Sequence, residues 1–371
     1  MSTGLNENRI SAARVMVVGC GALGNEVLKN LVLMGVTHIV AVDFDVVETG
    51  NLTRSILFSQ ADAVQHRLKV DVVAERLRQI NPALEIQTIC GDVAYDVGLG
   101  LIKEQDVVMG CVDSRWARFC INRLAMRAGV PWVDGGIMGL EGTARVFAPG
   151  KNCYACNLGP EGLKDMARRM PCSGIIRRQE AAGSVPTTSI VASVIGAVMV
   201  QEALKLVQQD FGTSLCGRMF YYEGEHMKVQ TANYQAYDDD CPEHERWEPI
   251  QTTAVSASAN VALALHTWSK ELNAQNVTLS LANDCFVDYV SRRDNDERTQ
   301  VMLPGHQVEE YIERTTNLSG MDSMALYQHE YRQVNSDFPY QELSLVELGI
   351  PERDIVHVVA DDKDYYLELN R

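Results

Sequence analysis

No run of about 18 apolar residues occurs in the sequence, so no transmembrane helix is predicted. The opening residues, MSTGLNENRISAAR, are polar and lack the apolar centre of a secretory signal. Basic residues are in the minority: 33 Lys and Arg stand against 49 Asp and Glu, for a formal net charge of -16. A generic nucleic-acid binder would carry the opposite balance. Internal repeats and low-complexity tracts are also missing. These absences predict a cytoplasmic chain that engages neither a membrane nor a nucleic acid.

What remains is a chain of 371 residues, 46% of them hydrophobic. That is enough for a substantial core and suggests two or three domains. The 10 cysteines, in a reducing compartment, serve better as buried thiols, metal ligands or nucleophiles than as disulfides.

The first 150 residues alternate strand and helix patterns. Arg14 to Val18 is a short apolar run suited to a buried parallel strand, and Asn25 to Met34 has helical spacing. His38 to Val42 reads as a second strand, Leu68 to Gln79 as a helix, Glu85 to Thr88 as a third strand, Asp106 to Met109 as a fourth and Trp132-Val133 as a fifth. This order predicts a doubly wound, mostly parallel Rossmann-like α/β sheet. Residues 141–185 read as a crossover loop system. Thr187 to Gln209 reads as a long helix and Arg218 to Val229 as a hairpin. The first domain is placed at 1–249. Residues 250–371 predict a small α+β domain, with a helix over Val261 to Leu272, a strand at Val277 to Leu281, a helical turn at Leu345 to Leu348, and strands at Ile355 to Val359 and Tyr365 to Leu369.

Gly19-Cys20-Gly21-Ala22-Leu23-Gly24 fits G-x-G-x-x-G between a strand and a helix. Its glycines permit a tight turn and close approach to phosphates at a helix N-terminus. Asp43 follows at the end of the second strand, where a carboxylate can take a ribose hydroxyl. A nicotinamide dehydrogenase is the usual owner of such a loop and predicts NAD binding. The residues beyond it suit a triphosphate better. Asp45, Asn51, Arg54, Lys69 and Asp113 add two cations and further carboxylates. Arg54 and Lys69 would neutralise phosphates and the leaving pyrophosphate, and Asp113 would hold Mg²⁺.

Cys153-Tyr154-Ala155-Cys156 and Cys241-Pro242-Glu243-His244 supply two ligand pairs, enough for a closed tetrahedral Zn²⁺ site. His226 is the alternative fourth ligand. Cys172 has four flanking arginines, Arg168, Arg169, Arg177 and Arg178, which would lower its thiol pKa and make it a nucleophile. Cys20, Cys111 and Cys120 lie in expected core elements and read as buried thiols.

From residue 14 to 247 the chain resembles the ThiF-type adenylyltransferase superfamily, closest to catalytic subunits of ubiquitin-like-modifier-activating enzymes. The phrases that carry this are Gly-Ala-Leu-Gly-Asn-Glu-Val-Leu-Lys-Asn-Leu (21–31), Asn-Leu-Thr-Arg (51–54) and Val-Asp-Gly-Gly (133–136). The resemblance implies ATP contacts at Gly21, Asp43, Asn51, Arg54, Lys69 and Asp113, and support of Mg²⁺ or ribose by Asp45. It implies a thioester on Cys172, a ubiquitin-like protein substrate, a conjugating enzyme as partner, and a homodimer or heterodimer of adenylation folds. The last segment resembles the end of a β-grasp domain that recruits the conjugating enzyme; a stabilising or dimer-supporting appendage is the alternative reading. Ser55 stands where a glutamine often follows the arginine. The usual arginine-bearing N-terminal segment is missing, and Arg9 is the candidate to replace it. Two other readings remain open: activation of a sulfur-carrier protein to a thiocarboxylate, and a non-catalytic scaffold subunit of a heterodimer.

Overall fold

The structure, a computed structural model, describes residues 6–169, 187–233, 237–281, 284–292, 295–315 and 325–371. Two compact units emerge. The first takes its described residues from 1–94, 102–159 and 182–246, the second from 95–101, 160–169 and 247–371.

The chain begins with α1 (Glu7–Ala12), β1 (Arg14–Val18), α2 (Ala22–Leu33), β2 (His38–Val42), α3 (Gln60–Val64), α4 (Lys69–Ile80) and β3 (Glu85–Ile89). It continues with α5 (Leu99–Lys103), β4 (Val107–Gly110), α6 (Arg115–Ala128), β5 (Trp132–Met138), β6 (Glu141–Phe147), α7 (Gly159–Arg169), α8 (Ser189–Val207), β7 (Arg218–Glu223) and β8 (Lys228–Asn233). The strands of the first unit form one eight-stranded sheet in the order β3-β2-β1-β4-β5-β6-β7-β8. Pairing is parallel from β3 to β5 and antiparallel from β5 to β8. This is the Rossmann-like sheet that the strand–helix alternation predicts, with an antiparallel extension.

The register aligns the strand ends that matter. Val18 lies beside Val42 on one side and Gly110 on the other. The chain reverses direction across the sheet between β1 and β4, the position where open α/β sheets leave a crevice for ligands.

Residues 141–147 are a correction to the loop expectation: they form β6, paired along its whole length with β5. Residues 159–169 are α7 rather than loop. β5 also runs on to Met138 instead of ending at Val133. The absence of a membrane-length helix is corrected too. α8, with 19 residues and a mean hydropathy of 1.8, is long and apolar enough to cross a bilayer. Its Val191, Ala192, Ile195, Met199, Val200 and Ala203 nevertheless join the core formed with Leu23, Val27 and Leu31 of α2, as a central helix of a globular unit would.

In the second unit come β9 (Ile250–Ser256), α9 (Val261–Glu271), β10 (Val277–Ser280), β11 (Phe286–Arg292), β12 (Asn295–Pro304), α10 (Gly305–Thr315), β13 (Ala325–Tyr331), β14 (Gln333–Val334), β15 (Ile355–Ala360) and β16 (Lys363–Asn370). They form a five-stranded sheet, β14-β10-β15-β16-β9, and a three-stranded antiparallel sheet, β12-β11-β13. Trp268 of α9 is fully buried in a core it shares with Val255, Leu279, Val358 and Leu367, and its indole N–H donates to Thr253 at 3.1 Å.

Candidate functional site

The glycine loop is built by close packing. Gly19 has φ +93, and a Cβ there would lie 2.5 Å from the Cys111 carbonyl oxygen. A Cβ on Gly24 would lie 1.9 Å from the Gly19 carbonyl oxygen. These two glycines let α2 and the turn after β4 close on the loop. Gly21, the N-cap of α2, has open space at its Cβ position. The backbone of the loop is held from below by Asp43, whose Oδ2 accepts from the Cys20 N–H at 2.6 Å while Oδ1 accepts from the Asp45 N–H at 2.8 Å. Burial pushes the Asp43 carboxyl above its usual value, against the pull of Lys69 and of these two N–H donors.

Lys69 reaches the same place after a long excursion. A β-bridge joins Val46 to Leu68, and the Lys69 N–H donates to the Asp45 carbonyl at 3.0 Å. The Lys69 ammonium then pairs with Asp45 at 2.6 Å, its side chain only 9% exposed against 52% for Asp45. Lys69 is the first residue of α4. A cation there adds to the positive end of the helix dipole instead of opposing it, and Asp45 is the carboxylate that offsets both. Asn51 closes a 3-10 turn, Thr49–Asn51, by accepting from the Glu48 N–H at 2.9 Å. Arg54 follows that turn, half-buried, with no ion pair to any described residue. Next to it the Ser55 hydroxyl is buried and finds no described hydrogen-bond partner.

Asp113 stands on the turn between β4 and α6, exposed, with no ion pair from its carboxylate to a described residue. Arg118 fixes that turn: it donates to the carbonyls of Val112 at 2.7 Å, Asp113 at 3.4 Å and Gly135 at 3.0 Å. The same guanidinium pairs with the fully buried Asp134 at 2.8 Å, and Arg145 pairs with the other oxygen of that carboxylate. Burial alone would raise the Asp134 carboxyl, but Arg145 and Arg118 hold it below the usual carboxylate range. Arg118, Asp134 and Arg145 are site-building residues with no role assigned from the sequence, although Asp134 lies in the Val-Asp-Gly-Gly phrase. Asp134 carried a signal, a charged residue inside an apolar strand; Arg118 on α6 carried none.

The structure therefore gathers the glycine loop, Asp43, Asp45 and Lys69, and sets the Asp113 turn against Gly19. Arg9 is exposed, and its guanidinium donates to the Gln208 carbonyl at the end of α8, at 3.0 Å. Cys172, with Arg177 and Arg178, lies outside the described residues, and Arg169 ends α7 with an ion pair to Asp165 at 3.1 Å. Cys20 and Cys120 are buried, and Cys111 is half-buried against the core. Burial raises all three thiols, so none is a ready thiolate at neutral pH.

The second cluster is Cys153, Cys156, Cys241 and His244, whose ligand atoms all lie within 4.8 Å of one another. Cys153 Sγ is 3.8 Å from Cys241 Sγ and 3.7 Å from Cys156 Sγ. Those gaps are too long for disulfides. They match the sulfur–sulfur edge of about 3.8 Å that a tetrahedron with Zn–S bonds of ~2.3 Å requires. His244 Nε2 lies 3.0 Å from Cys156 Sγ, and its buried Nδ1 has no described hydrogen-bond partner. Burial lowers the His244 pKa, which favours the neutral imidazole that ligates metals. The donor set, three thiols and one imidazole, fits zinc. His226 is not part of the cluster and pairs with Glu223 at 3.2 Å.

The chain is 30% identical over 236 residues to the SAMP-activating enzyme E1 of Haloferax volcanii, covering 64% of this chain and 82% of that protein. It is 32% identical over 217 residues to the adenylyltransferase and sulfurtransferase MOCS3 of Mus musculus, and there it spans 44% of the relative's length. The crystal structure of E. coli MccB with ATP superposes with a TM-score of 0.51 at 20% identity, covering 64% of this chain and 68% of that one. That likeness is one of fold. The model of the ThiF family matches residues 3–243, and the chain belongs to that family.

Proposed function

We propose that the chain uses MgATP to adenylate the C-terminal carboxylate of a small ubiquitin-like protein and then captures it on Cys172. The observation that carries this reading is the meeting of the glycine loop, Asp43 and the Asp45–Lys69 pair at the C-terminal ends of β1 and β2. A carboxylate oxygen of the protein substrate attacks the α-phosphorus, the bond to the β-phosphate bridge breaks, and pyrophosphate departs. The loop N–H groups and the N-terminus of α2 face the phosphates, Asp43 takes the ribose, and Asn51 assists in holding the nucleotide. Lys69 and Arg54 neutralise the departing charge. Asp113, with Asp45, would hold magnesium, which supplies further neutralisation of phosphate charge. The thiolate of Cys172 then attacks the acyl carbonyl, AMP leaves, and the thioester passes to a conjugating enzyme, with the C-terminal unit as the recruiting surface. Cys153, Cys156, Cys241 and His244 would hold a structural zinc. The acting form is a homodimer or heterodimer of adenylation folds in the cytoplasm.

The similarity to MOCS3, whose name joins adenylyltransferase to sulfurtransferase, favours a second reading in which the activated carboxylate belongs to a sulfur-carrier protein. One experiment separates the two. ATP–pyrophosphate exchange is measured with candidate ubiquitin-like and sulfur-carrier proteins, using the chain and its Cys172→Ala variant. The thioester reading expects carrier-dependent exchange in both and a thiol-sensitive adduct only in the former. Exchange with no adduct in either selects the sulfur-carrier reading. A chain that binds ATP but exchanges pyrophosphate with no carrier refutes adenylation of such proteins.

A further inference from the structure

Asn25 is fully buried near the start of α2, where a short amide is a poor helix former and would ordinarily be replaced by an apolar residue. Its side chain is nonetheless fully engaged. Nδ2 donates to the Cys20 carbonyl at 2.8 Å and the Gly21 carbonyl at 3.0 Å, and Oδ1 accepts from the Leu57 N–H at 2.8 Å. One amide thus joins two chain segments 32 positions apart in its longer reach. The first is the glycine loop. The second continues Asn51 and Arg54: the Arg54 N–H donates to the Asn51 carbonyl at 3.1 Å, and the Phe58 N–H to the Ser55 carbonyl at 3.3 Å, so Arg54 closes one turn and Leu57 lies in the turn that follows it directly. Cys20 is gripped from both sides, its N–H on Asp43 and its carbonyl on Asn25.

We infer that Asn25 is a positioning residue for the nucleotide site: it fixes the Arg54 segment against the glycine loop, so that the loop N–H groups and the Arg54 guanidinium address the same phosphates. The assignment rests on the ATP reading proposed above. Asn25 makes no contact with the nucleotide, and its effect passes through Arg54.

The test is a double-mutant cycle read as ATP affinity by calorimetry, with Asn25→Ala, Arg54→Ala and the pair, and with thermal unfolding recorded for each. Asn25→Ala is expected to weaken ATP binding by about ten-fold, the weight of hydrogen bonds lost to two buried carbonyls and a buried N–H. In the Arg54→Ala background the same change should weaken it by less than about three-fold, because contacting residues of one network are not additive. Equal effects in both backgrounds, or unchanged affinity in Asn25→Ala, overturn the assignment. Should Asn25→Ala not fold, Asn25→Ser carries the same comparison. Failure of both to fold also overturns it, since Asn25 would then be a residue of the fold rather than of the site. No ATP binding by the unsubstituted chain overturns both this and the nucleotide reading, whereas binding with additive losses overturns this one alone.

Discussion

Gly21→Ala separates folding from phosphate binding at a single carbon. Gly21 has φ -71 and ψ -154, at the edge of the extended region with φ on the ordinary negative side, and a Cβ built there meets nothing within 4 Å. The protein therefore gives no packing reason for glycine. Alanine shrinks the unfolded ensemble, which stabilises by roughly 0.4–1 kcal/mol. It is also a poorer helix N-cap than glycine, a cost of similar size. The two cancel, and the melting temperature should move by no more than about 4 °C. A phosphate resting on the loop N–H groups would by contrast meet the new methyl. A displacement of about 1 Å at such a centre can cost up to a hundred-fold in rate, so ATP affinity and kcat/KM for pyrophosphate exchange should both fall at least ten-fold. Gly19→Ala and Gly24→Ala are the controls. Both place a methyl within 2.5 Å of a carbonyl oxygen, and both should lower the melting temperature as well as binding. Calorimetric titration with ATP beside thermal melts reads all three. Wild-type ATP affinity in a normally stable Gly21→Ala chain would refute the claim that this loop cradles phosphates.

Two further outcomes follow from the charges and the thiols. The chain purified without chelator should carry one zinc per molecule by elemental analysis; His244→Cys should keep it, and Cys153→Ser should lose it together with part of the thermal stability, so a metal-free native chain would remove the site. Asp134→Asn leaves Arg118 and Arg145 without their buried counter-charge and should cost about 3–5 kcal/mol by denaturant unfolding. Because Asp134 is held below its unfolded value near ~3.9, its contribution is complete above that pH and is lost as pH falls through the folded value. The stability gap between wild type and variant should therefore narrow below about pH 4, and a gap independent of pH would refute the charged assignment.

The parallel half of the sheet was legible because its strands are buried on both faces and read as unbroken apolar runs, as at Val15–Val18 and Ile39–Val42. The helix after the glycine loop begins at Ala22, three residues ahead of the predicted start at Asn25, because Gly21 can serve as N-cap without a side chain. β6 was missed because Glu141, Gly142 and Arg145 imitate a loop. In the sheet they alternate faces, and Gly142 is small because Ile195 of α8 lies against it, 2.4 Å from where a Cβ would stand. β5 was cut short for the same reason. Asp134 and Gly135 look like a break, yet Asp134 is neutralised by two arginines and Gly135 makes room for Met199. Within the site, the spacing of Asp43, Asp45 and Lys69 was readable as a set of charges. The bridge from Val46 to Leu68 that brings the lysine back to Asp45 is a tertiary contact with no local sequence signature. Asn25, one of four polar residues in α2 beside Glu26, Lys29 and Asn30, carried no local sign of its tertiary bond to Leu57.

α6 is where the two clusters become one construction. Ser114 caps its first turn by accepting from the Ala117 N–H at 3.0 Å, and Arg118 grips the carbonyls of the turn that carries Asp113. Further along, Asn122 accepts from the Tyr154 N–H at 2.9 Å inside the first cysteine pair. Arg123 holds Glu243, inside the second pair, through two bonds of 2.8 and 2.7 Å. The helix thus has one end on the proposed nucleotide turn and its later turns on both halves of the Cys/His cluster proposed to hold zinc. A tetrahedral ion at that cluster would take all four ligands from the chain and keep no open position for a reacting water, so a zinc held there would be structural rather than catalytic. What such a site can contribute is rigidity, and α6 is the element that receives it. The histidine at 244 is compatible with this role because the turn bearing it is already set by the Arg123–Glu243 pair: the fourth ligand has only to complete a tetrahedron, not to shape the turn that presents it.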